Sequence, residues 1–229
     1  MNARSTMPQP SVRSVAVPGG WTEQTLAVGS RSFQIVLPAE PDRFLEQLEH
    51  LDKLDAADNP YWATLWPAAQ QTAEFILRHE WPHGRPALEL GCGVGLVGLA
   101  GLAAGLDVTF SDVNELAVST AIENAKRNGF DAAGRRLDWG QPDASRYPLL
   151  LAADVLYDPK LHAPLLDTIL NTLDRRGECW IGDPGRSAAS QFIAAVPAAS
   201  LQAKMFDEHG SAITSPQIGE FFLLRLSRR

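Results

Sequence analysis

The spacing of apolar positions divides the chain into short β-prone runs and amphipathic helical runs. Over residues 21–37, Leu26-Ala27-Val28 and Phe33-Gln34-Ile35-Val36-Leu37 flank the turn-forming pair Gly29-Ser30, which predicts a hairpin. Over 42–53, Phe44, Leu45, Leu48 and Leu51 recur on one side of a helix. Another helix passes through 72–78 on Ala73, Ile76 and Leu77, after a segment interrupted by Pro67. From residue 87 the two patterns alternate. Residues 87–90 read as a strand, 96–104 as an apolar helix that Gly105 can end, and 108–110 as a strand. Residues 115–127 carry Ala117, Val118, Ala121, Ile122 and Ala125 on one helical face and stop at Asn128-Gly129. A weak strand falls near 135–137. The nearly continuous apolar run 149–155 has the pattern of a central strand covered on both faces. Leu161, Leu165, Ile169 and Leu173 define a helix, 179–181 a strand, 187–196 a helix, and 201–206 and 221–226 two closing strands.

Strands alternating with helices predict an α/β fold: a doubly wound, seven-stranded, mostly parallel sheet of the Rossmann-like kind, preceded by a β-hairpin and helix. The domain expectation is a loose tail over 1–17 and a single domain over 18–229. Within that domain, 18–60 form an extension and 61–229 the catalytic core. In such sheets ligands bind beyond the carboxyl ends of the strands. The polar residues standing there are Glu89, Asp112, Asp138, Asp154 and Asp183.

Composition narrows the function classes. The chain has 229 residues, 45% apolar and 21% charged, which excludes wholesale disorder. A net charge of -7 disfavours a nucleic-acid surface, which needs clustered Lys and Arg. The two cysteines, Cys92 and Cys179, have no CxxC partner and read as reduced thiols. The first ten residues are polar and hold two prolines, unlike a secretion signal. The uncharged run 90–106 is shorter than the ~20 residues a bilayer requires. A cytoplasmic protein outside the membrane is the expectation.

Residues 87–101, "ALELGCGVGLVGLAG", carry the chemistry. A glycine loop between strand and helix lets a ligand approach the backbone closely. Gly93-x-Gly95-x-x-Gly98 has the spacing of a dinucleotide loop, which holds a pyrophosphate at the helix N-terminus. Glu89 favours a different ligand. S-adenosylmethionine has no phosphate but carries a sulfonium and an amino-acid end, for which a nearby carboxylate is useful. Asp112 can serve a ribose in either ligand, while Asp138-Trp139 offers a carboxylate and a ring for an adenine.

Glu89-Leu90-Gly91-Cys92-Gly93-x-Gly95 resembles the first motif of class I, seven-stranded S-adenosylmethionine-dependent methyltransferases, and Asn124-Ala-x-x-Asn128-Gly129 is also common there. Asp154-Val155-Leu156-Tyr157 resembles the motif after the fourth strand in their protein-lysine methyltransferase group. More narrowly, "NPYWATLWPAAQ" (59–70), "ADVLYD" (153–158) and "IGDPGR" (181–186) together resemble the lysine methyltransferases of the electron-transfer-flavoprotein β subunit. The resemblance covers about 59–186. It implies S-adenosylmethionine as cofactor and a protein presenting a lysine as partner, the flavoprotein β subunit in the narrowest reading. It implies cofactor binding by Trp66, Glu89, Gly91, Cys92, Gly93, Gly95, Asp112, Val113, Asp138, Trp139 and Ala153.

A lysine amine with its usual pKa of about 10.4 is mostly protonated and must lose a proton before it attacks. Asp154 can bind and orient the ammonium, and Tyr157 can add a hydroxyl or ring face. These two are the expected catalytic residues. Tyr61 and Trp62 could line the substrate entrance but read first as packing or hairpin contacts, 183–186 as a turn with substrate contact as the alternative, and Asn128 as a helix terminator. His79-Glu80-Trp81-Pro82-His83 matches a zinc-protease motif only in letters, because Pro82 breaks the helix it needs. Methylation of a small-molecule nitrogen, an NAD-dependent oxidoreductase and a silent S-adenosylmethionine-binding module remain as alternatives.

Overall fold

The computed structural model describes residues 17, 19–43, 60–141 and 144–229. Nearly all of the expected tail over 1–17 and of the expected helix over 42–53 lies outside them. The described chain opens with a two-stranded antiparallel hairpin, β1 (Trp21–Val28) and β2 (Arg31–Pro38). Helix α1 (Pro67–Arg78) follows a 3-10 turn at Pro60–Ala63. It begins five residues before the predicted 72. Pro67 does not interrupt it but starts it, since the first helical position needs no N–H donor and proline pre-sets φ there.

Next come β3 (Pro86–Leu90), α2 (Leu96–Ala103), β4 (Asp107–Asp112), α3 (Glu115–Arg127) and β5 (Ala133–Arg136). Then β6 (Tyr147–Ala153), α4 (His162–Thr172), β7 (Leu173–Asp183) and α5 (Ala189–Ala195) complete the second half. The chain closes with β8 (Leu201–Asp207), β9 (Ala212–Ile213) and β10 (Phe222–Arg228). The sheet order is β5-β4-β3-β6-β7-β10-β8-β9. The first five strands run parallel, and β10, β8 and β9 add antiparallel pairs. The seven predicted strands are all present, and the two-residue β9 adds an eighth at the edge.

Burial explains the order. Leu88, Leu90, Leu149, Leu150 and Leu151 on the two central strands are fully buried. One face of the sheet packs against α1, α2, α3 and the hairpin through Ala73, Ile76, Leu99, Ala121, Phe33 and Ile35. The other packs against α4 and α5 through Leu165, Ile169 and Phe192. Strand order reverses between β3 and β6, so their carboxyl ends diverge and open a crevice. Register brings Leu90 beside Ser111 and Ala153 beside Gly182, which sets Gly91, Asp112, Asp154 and Asp183 at one edge. No helix among the described residues is long and apolar enough to cross a membrane; the run 90–106 contains only the eight-residue α2.

Candidate active site

The crevice is a cavity of about 690 Å³, within the ~300–1,000 Å³ range of small-molecule sites. Twelve of the thirteen expected site residues line it: Trp66, Glu89, Gly91, Cys92, Gly93, Asp112, Val113, Asp138, Trp139, Ala153, Asp154 and Tyr157. Gly95 does not. It caps α2 with φ 87°, and a Cβ there would stand 2.7 Å from the Ala121 Cβ, so it serves the packing of α2 on α3. Gly98, which the dinucleotide pattern singled out, also works in packing. A side chain there would collide with the Glu89 carboxylate and the Phe110 ring.

The glycine loop is held by two carboxylates. Glu89 Oε2 accepts the Gly98 N–H at 2.9 Å, in the first turn of α2, where the unpaired amides favour an anion. Asp112 Oδ2 accepts the Gly93 N–H at 3.0 Å and its Oδ1 the Asn114 N–H at 3.0 Å. Burial pushes Glu89 well above the usual carboxylate range and raises Asp112 as well; the mutual repulsion of the pair adds to the shift of Glu89. Cys92 is also buried, and burial pushes its thiol well above its ordinary value. Asp138 turns the chain after β5 by accepting the Gly140 N–H at 3.1 Å, and Trp139 lies beside Gly91.

A smaller pocket of about 180 Å³ shares walls with the cavity and is lined by Tyr61, Trp66, Asp154, Tyr157 and Arg186. Three rings enclose it. Tyr61 meets Trp66 edge-on at 6.0 Å and Tyr157 edge-on at 5.7 Å. The Trp66 indole N–H donates to the Tyr61 main-chain carbonyl at 2.9 Å, which orients the Trp66 ring. Tyr61, read from the sequence as a packing residue, is 41% exposed and lines both spaces. Trp62 is buried against Trp21 but also reaches the cavity wall.

Asp154, expected to bind an ammonium, already has partners within the chain. Its Oδ1 accepts from Arg186 Nε at 3.0 Å and Nη2 at 2.6 Å, and its Oδ2 accepts the Ala68 N–H at 3.2 Å in the first turn of α1. Burial raises its pKa and the Arg186 guanidinium opposes that rise. The Arg186 guanidinium also lies 5.5 Å from the Trp66 ring centre. Asp183 fixes the turn that delivers it, accepting the Gly185 and Arg186 N–H groups at 2.9 and 2.7 Å on Oδ1. The 183–186 turn is therefore part of the pocket wall. Tyr157 is raised to about 12, mainly by burial and then by Asp112 and Asp158, so its phenol is neutral at ordinary pH.

The family model described as "Lysine methyltransferase" matches residues 49–197, more than half of the chain. This chain belongs to the lysine methyltransferase family. A zebrafish (Danio rerio) electron transfer flavoprotein beta subunit lysine methyltransferase is 30% identical over 133 residues, 56% of this chain and 52% of that one. A Dictyostelium discoideum histidine protein methyltransferase 1 homolog is 29% identical over 142 residues, 57% of this chain and 46% of that one. The chain thus spans about half the length of these curated relatives. Among solved structures it resembles the N-methyltransferase NodS of Bradyrhizobium japonicum, determined in complex with S-adenosyl-L-homocysteine. That match has a TM-score of 0.57 and 19% identity over 81% of this chain and 98% of the other, and it shows the shared fold. The cofactor of this methyltransferase family is S-adenosylmethionine. The site has the groups such a ligand needs, all lining the cavity: backbone at Gly91 and Gly93, carboxylates at Glu89, Asp112 and Asp138, and the Trp139 ring.

Proposed function

We propose that this protein transfers a methyl group from S-adenosylmethionine to a lysine side chain of a protein substrate. The observation that carries the reading is the small pocket of Tyr61, Trp66, Tyr157, Asp154 and Arg186 adjoining the cofactor-sized cavity. When bound, the cofactor supplies a methyl group activated by its positive sulfur; the protein's task is then alignment and deprotonation of the acceptor. Glu89, Gly91, Cys92, Gly93, Asp112, Val113, Asp138, Trp139 and Ala153 hold the cofactor, and Trp66 closes the cavity over it.

The aromatic walls accept a cation by its charge and strip its water. Asp154 attracts the ammonium. The Arg186 guanidinium and the desolvation both favour release of its proton to water at the rim of the pocket, where Tyr61 is exposed, because a like charge and a dry site disfavour the charged amine. The neutral Tyr157 hydroxyl orients the lone pair. The electron transfer flavoprotein β subunit is the partner suggested by the zebrafish relative.

A histidine acceptor is the second reading, because Arg186 already balances the charge of Asp154, so the pocket does not require a cation. Incubation with isotopically labelled cofactor and the flavoprotein β subunit or a cell extract, followed by peptide mass spectrometry, decides between them. Label on lysine supports the proposal, and label on histidine replaces it. Cofactor binding with no labelled product would mean a silent module. Tight NAD binding with no affinity for S-adenosylhomocysteine would overturn the cofactor assignment.

A further inference from the structure

The N-terminal hairpin lies outside the matched residues 49–197, yet it is bonded to the glycine loop through one side chain. Asn124, on α3, is fully buried. Its Oδ1 accepts the Val36 N–H at 2.8 Å, and its Nδ2 donates to the Val36 carbonyl at 3.0 Å and to the Val94 carbonyl at 2.9 Å. Both amide protons and the carbonyl are thus engaged. One turn later, Asn128 makes the matching pair of bonds to Gln34, at 2.9 and 2.8 Å, but sends its remaining bond to the Asn124 carbonyl. The two side-chain amides act as a short neighbouring strand along the edge of β2. Only Asn124 continues to the loop, and Val94, which it holds, lines the cavity between Gly93 and Gly95. A second contact runs in parallel: Trp21 of β1 lies 6.4 Å from Trp62, whose carbonyl stands 3.1 Å from where a Cβ on Gly93 would be.

We infer that the hairpin is a working part of the cofactor site, and that Asn124 is the positioning residue through which it holds the glycine loop in its binding shape. The inference rests on the reading of that loop as the cofactor wall. The physical basis is preorganisation. A loop with glycines at three alternate positions, 91, 93 and 95, has many conformations to lose, and a buried bond to Val94, between the last two of them, lowers that cost before the ligand arrives. Coupling of this kind is reciprocal, so cofactor binding must tighten the hairpin contact in turn.

Two variants of the full chain test this. Asn124→Ala removes the bonds to Val36 and Val94; Asn128→Ala removes the matching bonds to Gln34 and leaves Val94 held. Calorimetric titration with S-adenosylhomocysteine is expected to give a Kd about tenfold or more weaker for Asn124→Ala, and within about twofold of wild type for Asn128→Ala, while both lower Tm. A purely structural role would weaken both alike or neither, and either result overturns the inference. A wild-type chain that binds no S-adenosylhomocysteine overturns the cofactor-site reading itself, which is a separate failure. Should Asn124→Ala not fold, amide hydrogen exchange on the wild-type chain gives the same decision. Saturation with S-adenosylhomocysteine is expected to slow exchange at Val36 more than at Gln34. Equal slowing at the two amides overturns the inference.

Discussion

At the scale of single residues, the proposed chemistry turns on the Asp154 carboxylate. It is buried, bonded to the first turn of α1 and paired with Arg186, so its charge is compensated on two sides. Asp154→Asn keeps the shape but removes the anion. Methyl transfer to the acceptor is expected to fall at least about 100-fold while S-adenosylhomocysteine affinity stays within about threefold, measured by label incorporation and calorimetry. Unchanged transfer would remove Asp154 from the mechanism. Burial also raises Glu89, Asp112, Asp154 and Asp183, whereas Glu178, bonded to Trp180 and Arg225, is lowered. An acid with a raised pKa binds its proton more tightly folded than unfolded. Its contribution to stability is therefore complete at low pH and is lost as pH rises through the folded value. Through these acids the urea midpoint is expected to increase as the buffer is taken from about pH 8 to about pH 5, above the ordinary carboxylate range, against the opposite contribution of His79, whose pKa burial lowers. Glu89→Gln, which keeps an acceptor for the Gly98 amide, is expected to flatten that slope.

At the scale of elements, the glycine loop and α2 show how a motif read for ligand binding divides its labour. Gly91 and Gly93 face the cavity, while Gly95 and Gly98 allow α2 to sit against Ala121, Phe110 and Glu89. Gly98→Ala is expected to lower stability by roughly 1–3 kcal/mol through overpacking, seen as a drop in Tm of about 2–4 °C per kcal/mol. Unchanged Tm would mean that Phe110 and Glu89 yield without cost. The strands and helices themselves were legible, because the periodicity of buried positions sets them. The start of α1 was not, because Pro67 has opposite meanings inside a helix and at its first position. Asn124, legible in the sequence as part of the run 124–129, also carried a second signal. It continues the buried stripe Ala117, Ala121, Asn124, and a polar residue on such a stripe requires buried partners.

At the scale of the whole molecule, the crevice at the strand-order reversal joins both halves of the sheet, so a ligand there bridges β3 and β4 to β6. A ligand that binds only the folded chain stabilises it by about 2.7 kcal/mol at 100 times its Kd. S-adenosylhomocysteine at that excess is expected to raise Tm by roughly 5–10 °C, whereas NAD at the same concentration leaves it unchanged. A rise with NAD and none with S-adenosylhomocysteine would reverse the choice of cofactor.

The sequence alone determined the alternation of strands and helices, the carboxylates at the strand ends and the loop motif. Each of these is written in local spacing, where period and turn chemistry act over a few residues. Only the tertiary structure decided which of those residues meet. Arg186 reaches Asp154 across 32 positions and Asn124 reaches Val36 across 88. The Tyr61 ring closes on Tyr157 through the packing of a 3-10 turn over the sheet edge. Such contacts depend on strand order and register, which fix distances between segments that no local pattern relates. The chain therefore declares its cofactor class in its motifs, while the pocket proposed for the methyl acceptor exists only in the fold.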